Sequence, residues 1–184
     1  VGYGSLTANT TGSNNSAFGT YALNSNTIGI YNTALGRSAL SVNIIGSANT
    51  AVGFQSLRYN TVGVNNVAVG LQALSNNTSG ARNNALGVNA LLSNTIGSNN
   101  VFIGGFTGST ELATNNKYIA IADGEGTLRL FITGSDGLAT FSGAGGVSAS
   151  FFKGDGSLLT NLPLGTSVTV ADEGTSQGTA TFLN

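Results

Sequence analysis

The chain has 184 residues, of which only 7% are charged, with 28 Gly, a single Pro and a formal net charge of -1. His, Cys, Met and Trp are absent, which removes thiolate metal sites, disulfides and every His- or Cys-based catalytic triad. Six Lys and Arg in all are too few to track a nucleic-acid backbone, and no apolar run approaches the ~20 residues of a membrane-spanning helix. A hydrophobic content of 40% nevertheless takes the sequence out of the disordered class.

From the N-terminus the chain repeats itself every 17 residues. Counting each copy from its first Ala as slot 0, copies begin at Ala17, Ala34, Ala51, Ala68 and Ala85, with a partial copy on either side. Slot 2 is Gly throughout (Gly2 to Gly104) and slot 12 is Gly throughout (Gly12 to Gly97). Slot 6 is Leu from Leu6 to Leu91, slot 9 is Asn from Asn9 to Asn94, and slot 15 is Asn from Asn15 to Asn100. Slot 1 is always apolar, and slot 11 mostly so. Val1 falls inside a copy, so the expectation is a fragment or processed product of a longer chain.

Seventeen residues are too few for a helix pair, and two glycines would cost each helix ~1 kcal/mol apiece. Short runs such as "TAVG" and "NTVG", each closed by Gly, favour strands instead. The expected architecture is therefore all-β, a parallel β-roll or solenoid over residues 1–105, with coils of two or three short strands stacked ~4.8 Å apart. In the coil "TAVGFQSLRYNTVGVNN", Gly53 and Gly63 are expected at corners, Leu57 in the interior, and Asn60 and Asn66 in side-chain ladders between coils. Charges agree with stacking: residues 1–110 contain no acid, and Arg37, Arg58 and Arg82 fall in three different slots.

Beyond "VFIGGFTGSTELATNN" the period stops, and all seven acids lie from Glu111 onward. Residues 106–163 are expected to form a β-rich connector. Within it, "KYIAIADGEGTLRLFITGSDGLATFSG" reads as successive strands with turns at "DGEG" and "GSDG", and a connector then ends at Pro163. Residues 164–184 read as the start of a further strand unit, with "TSVTVADEG" and "GTATFLN" as a strand pair. Thin coils and short strands leave apolar slots and open edges, which self-association, most simply threefold, would cover.

The pattern "NTAVGxxxLxxNTxGxxN" resembles repeats of bacteriophage tail fibre proteins and, more distantly, the β-roll heads of trimeric autotransporter adhesins. "YIAIADGEGTLRLFITGSDG", "FFKGDGSLLTNLP" and "VADEGTSQGTATFLN" resemble later segments of such fibres. The resemblance implies an elongated, mostly β homotrimer, extracellular on a virion. Its partners would be its own copies, other virion tail proteins and a host surface glycan or protein, with neither nucleic acid nor membrane insertion. A chaperone domain and a receptor-binding tip are not among the matching segments.

Chemistry has few candidates. Paired carboxylates could come only from Glu111, Asp123, Glu125, Asp136, Asp155, Asp172 and Glu173, and most sit beside Gly where a β-turn acid is the plainer reading. "DGEG" lacks the further oxygen ligands of a calcium loop, and no phosphate loop or cofactor motif occurs. No enzyme, metal or cofactor is expected. Contacts to a receptor are instead expected from the variable slots, at Tyr21, Tyr31, Arg37, Phe54, Arg58, Tyr59 and Arg82. An anchored bacterial surface adhesin is the alternative, and an ice-binding solenoid, suggested by the Thr column of slot 10, is a weaker one.

Overall fold

The structure is a computed structural model that describes residues 2–105, 107, 114–123 and 125–132, together with the strands Ala139–Phe141, Ser167–Ala171 and Gln177–Thr181. The chain divides into two units, 1–146 and 147–184. The first is a β-solenoid of about six turns. The second contains an antiparallel pair, Ser167–Ala171 with Gln177–Thr181, which are β10 and β11. The "GSDG" turn, the connector ending at Pro163, and Glu111, Asp136, Asp155, Asp172 and Glu173 lie outside the described residues.

Each coil contributes one three-residue strand built from slots 16, 0 and 1. These are β1 (Ser16–Phe18), β2 (Thr33–Leu35), β3 (Thr50–Val52), β4 (Val67–Val69), β5 (Asn84–Leu86) and β6 (Val101–Ile103). They pair in parallel at a constant offset of 17, Ala34 beside Ala51 and Ala51 beside Ala68. β7 (Ile119–Ala122) continues the parallel stack on β6, after which β8 (Leu128–Ile132) and β9 (Ala139–Phe141) turn antiparallel. Nine strands thus form one sheet in sequence order.

The expectation of two or three strands per coil is corrected here. The "NTVG" run forms no strand because its three consecutive amides converge on a single acceptor. Thr61, Val62 and Gly63 all donate their N–H to the Thr78 carbonyl, at 2.9, 3.2 and 3.3 Å. A ladder needs alternate residues to bond alternate neighbours, and this convergence replaces it with a bend.

The interior is narrow and made of small side chains. Slots 0 and 5 supply Ala, as in Ala34, Ala39, Ala51 and Ala73, and slot 6 supplies Leu23, Leu40, Leu57, Leu74 and Leu91, all fully buried. Where the period ends, Phe102 takes the place of Ala in slot 0 and is the largest fully buried side chain among the described residues. Its strand partner is Ala120, the first departure from 17-residue spacing.

Two Asn columns fill the remaining interior positions, and all ten residues from Asn26 to Asn100 in these columns are buried. In slot 9, Asn60 Nδ2 donates to Asn43 Oδ1 at 2.9 Å and to the Gly63 carbonyl at 3.0 Å. In slot 15, Asn66 Nδ2 donates to Asn49 Oδ1 at 3.1 Å and to the Gly80 carbonyl at 2.8 Å. Asn66 Oδ1 accepts both the backbone N–H and the side-chain amide of Asn83, at 3.0 and 3.1 Å. From Asn26 to Asn77 in slot 9 and from Asn32 to Asn83 in slot 15 each carboxamide bonds up and down the stack, which is how a polar group persists in a dry core. The buried Asn94 Oδ1, at the end of its column, has no partner among the described residues.

The two glycine columns serve different physical needs. Slot 2 adopts a left-sided backbone, with Gly53 at φ 130° and Gly70 at φ 136°, conformations open to Gly alone. Slot 12 has no positive φ. There the constraint is space, since a Cβ on Gly63 would stand 2.5 Å from the Gly80 carbonyl oxygen and press on Asn60 Oδ1. Left-handed turns are assigned to other residues, including every described Leu of slot 6, such as Leu57 at φ 48°. Burial of that Leu offsets the 1–2 kcal/mol or so that a side chain costs in this conformation.

Candidate functional site: the outer surface of the coils

With the interior filled and bonded, functional groups reside on the outside of the coils. The outward side chains of the strands alternate with buried Ala, which places slots 16 and 1 on the exposed face of the sheet. Slot 1 runs Phe18, Leu35, Val52, Val69, Leu86 and Ile103, and Ile121 of β7 continues it beside Ile103. Phe18 is 64% exposed and Leu86 51%. A second apolar column, Ile28, Ile45, Val62 and Ile96 in slot 11, lies at another edge of the coil and is also exposed. Neither column contains a charged residue.

The seven candidate contact residues fall in slots 3, 4, 7, 8 and 14. Arg37 and Phe54 occupy slot 3 of consecutive coils, and the Arg37 guanidinium lies 5.8 Å from the Phe54 ring centroid. Arg58 and Tyr59 follow in slots 7 and 8 of the same coil as Phe54, with the guanidinium 4.8 Å from the tyrosine ring. Tyr21, in slot 4, packs edge-on against Tyr3 with ring centroids 5.7 Å apart. Tyr31 and Arg82 stand elsewhere, in slot 14 beyond the strand, with Ala48 and Asn65 between them in the column. Both are exposed, and both have a left-handed backbone, at φ 58° and 57°.

Slot 4 adds two residues that sequence reasoning passed over. Gln72 Nε2 donates to Gln55 Oε1 at 3.0 Å, a short outer ladder beside Phe54. The signal was present, since positions 55 and 72 differ by one period.

The Thr column of slot 10 has an internal role. Thr10, Thr27, Thr61 and Thr78 each donate their hydroxyl to the slot 10 carbonyl of the next coil, at 2.9, 3.0, 3.1 and 3.0 Å. Their single donor is thus used in coil stacking, which leaves it unavailable for an ordered array of water.

In the turn after β7, Asp123 organises the backbone. Its Oδ1 accepts the N–H of Glu125 at 3.0 Å and of Thr127 at 2.9 Å, while Oδ2 accepts Arg129 Nη2 at 2.7 Å and Nε at 3.1 Å. The Thr127 N–H, with further help from Arg129 and Glu125, holds the Asp123 carboxyl below the usual carboxylate range, against an opposing contribution from burial. Acceptance of the backbone N–H groups two and four residues on is the pattern of a β-turn acid. No cluster of three or more candidate metal ligands occurs among the described residues.

No family, curated protein or solved structure matches the chain.

Proposed function

We propose that this chain is a structural and adhesive segment of an extracellular fibre of the virion-tail type, which assembles with identical copies and contributes to attachment to a host surface without catalysis. The observation that carries the reading is the unbroken apolar column from Phe18 to Ile121. A side chain of this size is worth about 1.5–3 kcal/mol when fully covered, so a half-exposed rung stands for about 1 kcal/mol. Seven rungs supply roughly 6 kcal/mol, and the four apolar rungs of slot 11 roughly 3 to 4 more. Association itself costs some 4–15 kcal/mol, which puts one column near the low end of that range and two columns, at roughly 9 to 10 kcal/mol, in its middle. A ring of three copies covers both, because each copy presents one column to each neighbour.

The uncharged interior supports the same reading. Nothing in the coils resembles a site for bond making, whereas a stack of bonded Asn, Gly and Leu holds side chains at fixed spacing along a rod. The test is light scattering on the folded chain, with a trimer expected. A compact monomer at micromolar concentration refutes the proposal. Replacing Leu86 by Glu should dissociate the trimer while leaving the coil circular dichroism in place, and the isolated trimer should compete with virion adsorption to the host.

A further inference from the structure

We infer that Arg37, Phe54, Arg58 and Tyr59 form one binding patch for an acidic saccharide, a sugar chain carrying carboxylate or phosphate groups. The patch deepens the proposed attachment role and rests on it only for where such a ligand would come from. Charge is the first argument. Residues 1–110 hold three Arg and no acid, while the seven acids lie from residue 111 onward. Among the described residues neither Arg37 nor Arg58 has a carboxylate within ion-pair distance; the pair observed there is Arg129 with Asp123. Two uncompensated guanidiniums on consecutive coils make an anion-seeking surface.

Geometry is the second. Each guanidinium is held against a ring, at 5.8 Å for Arg37 on Phe54 and 4.8 Å for Arg58 on Tyr59. An arginine restrained in this way loses less freedom when its fork closes on a carboxylate or phosphate. Phe54 and Arg58 are four residues apart, which bounds their Cα separation at about 14 Å. The turn closed by the Ser56 N–H on the Gly53 carbonyl at 3.4 Å shortens that path. The patch is therefore the size of a short oligosaccharide.

Chemical variety is the third. Phe54 and Tyr59 are 38% and 41% exposed, so ring surface remains for the apolar C–H face of a sugar. Gln55 accepts from Gln72, and its own Nε2 has no protein acceptor among the described residues, which leaves an amide donor for a hydroxyl. A nucleic acid would require a longer run of cations than two arginines provide.

The test uses the assembled protein at low ionic strength, titrated calorimetrically with tetragalacturonate, glucose 6-phosphate and neutral maltotetraose. At least one acidic probe should bind, more weakly as salt rises, and maltotetraose should bind at least tenfold more weakly or not at all. The stronger acidic probe identifies carboxylate or phosphate as the preferred group. R37A and R58A should each weaken binding about tenfold or more, and Y59A several-fold, with each protein remaining folded and assembled. R82A removes the same charge from another column and should have less than a twofold effect. Absence of acidic-probe binding at millimolar concentration, equal binding of maltotetraose, or an R82A loss equal to that of R58A would each overturn the patch. A trimer that binds no probe removes this inference alone, whereas a monomer that binds tetragalacturonate through Arg58 removes the fibre reading and keeps the patch.

Discussion

Replacing Asn66 by Ala isolates what the buried ladders contribute. The carboxamide makes four side-chain hydrogen bonds, two as donor to Asn49 Oδ1 and the Gly80 carbonyl, and two as acceptor from Asn83. Two of the groups left behind retain other partners, because Gly80 still accepts from Asn77 and Asn49 Oδ1 still accepts from the Asn66 backbone. The Asn83 backbone N–H and one of its amide hydrogens do not. Two buried donors left unpaired at about 2 kcal/mol each give a loss of about 4 kcal/mol, a large fraction of the 5–15 kcal/mol typical of a whole domain. Denaturant unfolding at one fixed chain concentration measures it, since the proposed assembly would make stability concentration-dependent. The exposed comparison, Tyr59→Ala, should cost about 1 kcal/mol or less. Asn66→Asp keeps the acceptor and loses the donors, so it should be at least as damaging at pH 7 and partly recover at low pH, where the protonated acid donates again. An Asn66→Ala loss no larger than that of Tyr59→Ala would refute the ladder as a source of stability.

Leu57→Ala should cost about 2–5 kcal/mol in the same assay, because the fully buried side chain leaves a cavity between stacked neighbours. Gly63→Ala should cost about 3 kcal/mol or prevent folding, since its Cβ would collide with the Gly80 carbonyl and the Asn60 side chain; tolerance would show that the coils can spread. Ala48→Gly, at an exposed φ of 56°, should be neutral or stabilising by about 0.5 kcal/mol, with strain relief exceeding the added freedom of the unfolded chain. For Asp123 the folded pKa is lowered, so its stabilisation is present above the ordinary carboxylate range and lost as pH falls through the depressed value. The turn at 123–127 should therefore loosen only under acid, and Asp123→Asn should remove that pH dependence in amide exchange.

Much of the solenoid was legible because its side chains stack on their own copies. A column that must be Leu, Asn or Gly in space is then Leu, Asn or Gly in sequence, and seventeen is read directly from Gly53, Gly70 and Gly87. Backbone conformation was not legible in the same way. Leu57 is left-handed, and no preference of leucine announces it; the conformation goes with a fully buried side chain and with the turn that the Asn60 N–H closes on the Leu57 carbonyl. The glycine columns were legible as positions needing positive φ or close backbone approach, but which reason applies to which column was not: Gly53 is required by φ, and Gly63 by a neighbouring carbonyl. "NTVG" carries a genuine strand preference, yet three amides converging on Thr78 override it. On the surface, the Arg37–Phe54 contact is one period long and could be found by arithmetic, whereas the separation of Arg82 from Arg58 depends on which way each corner turns.

The same stacking rule separates the slots that must keep their residue from the slots that can exchange it. Any side chain in slots 6, 9, 12 or 15 is touched by its copies above and below, so a change at Asn60 or Gly63 propagates to two coils. Slots 3, 7 and 8 have fewer such ties, and they carry Thr20, Arg37, Phe54 and Leu71, or Asn24, Ser41 and Arg58, in successive coils. A rod built this way can exchange its outer residues at a cost of about 1 kcal/mol or less each, while its inner columns admit almost no exchange. The binding patch proposed above is therefore sought where the period is broken on the outside. Coils 34–67 are the place where the breaks are Arg and aromatic together.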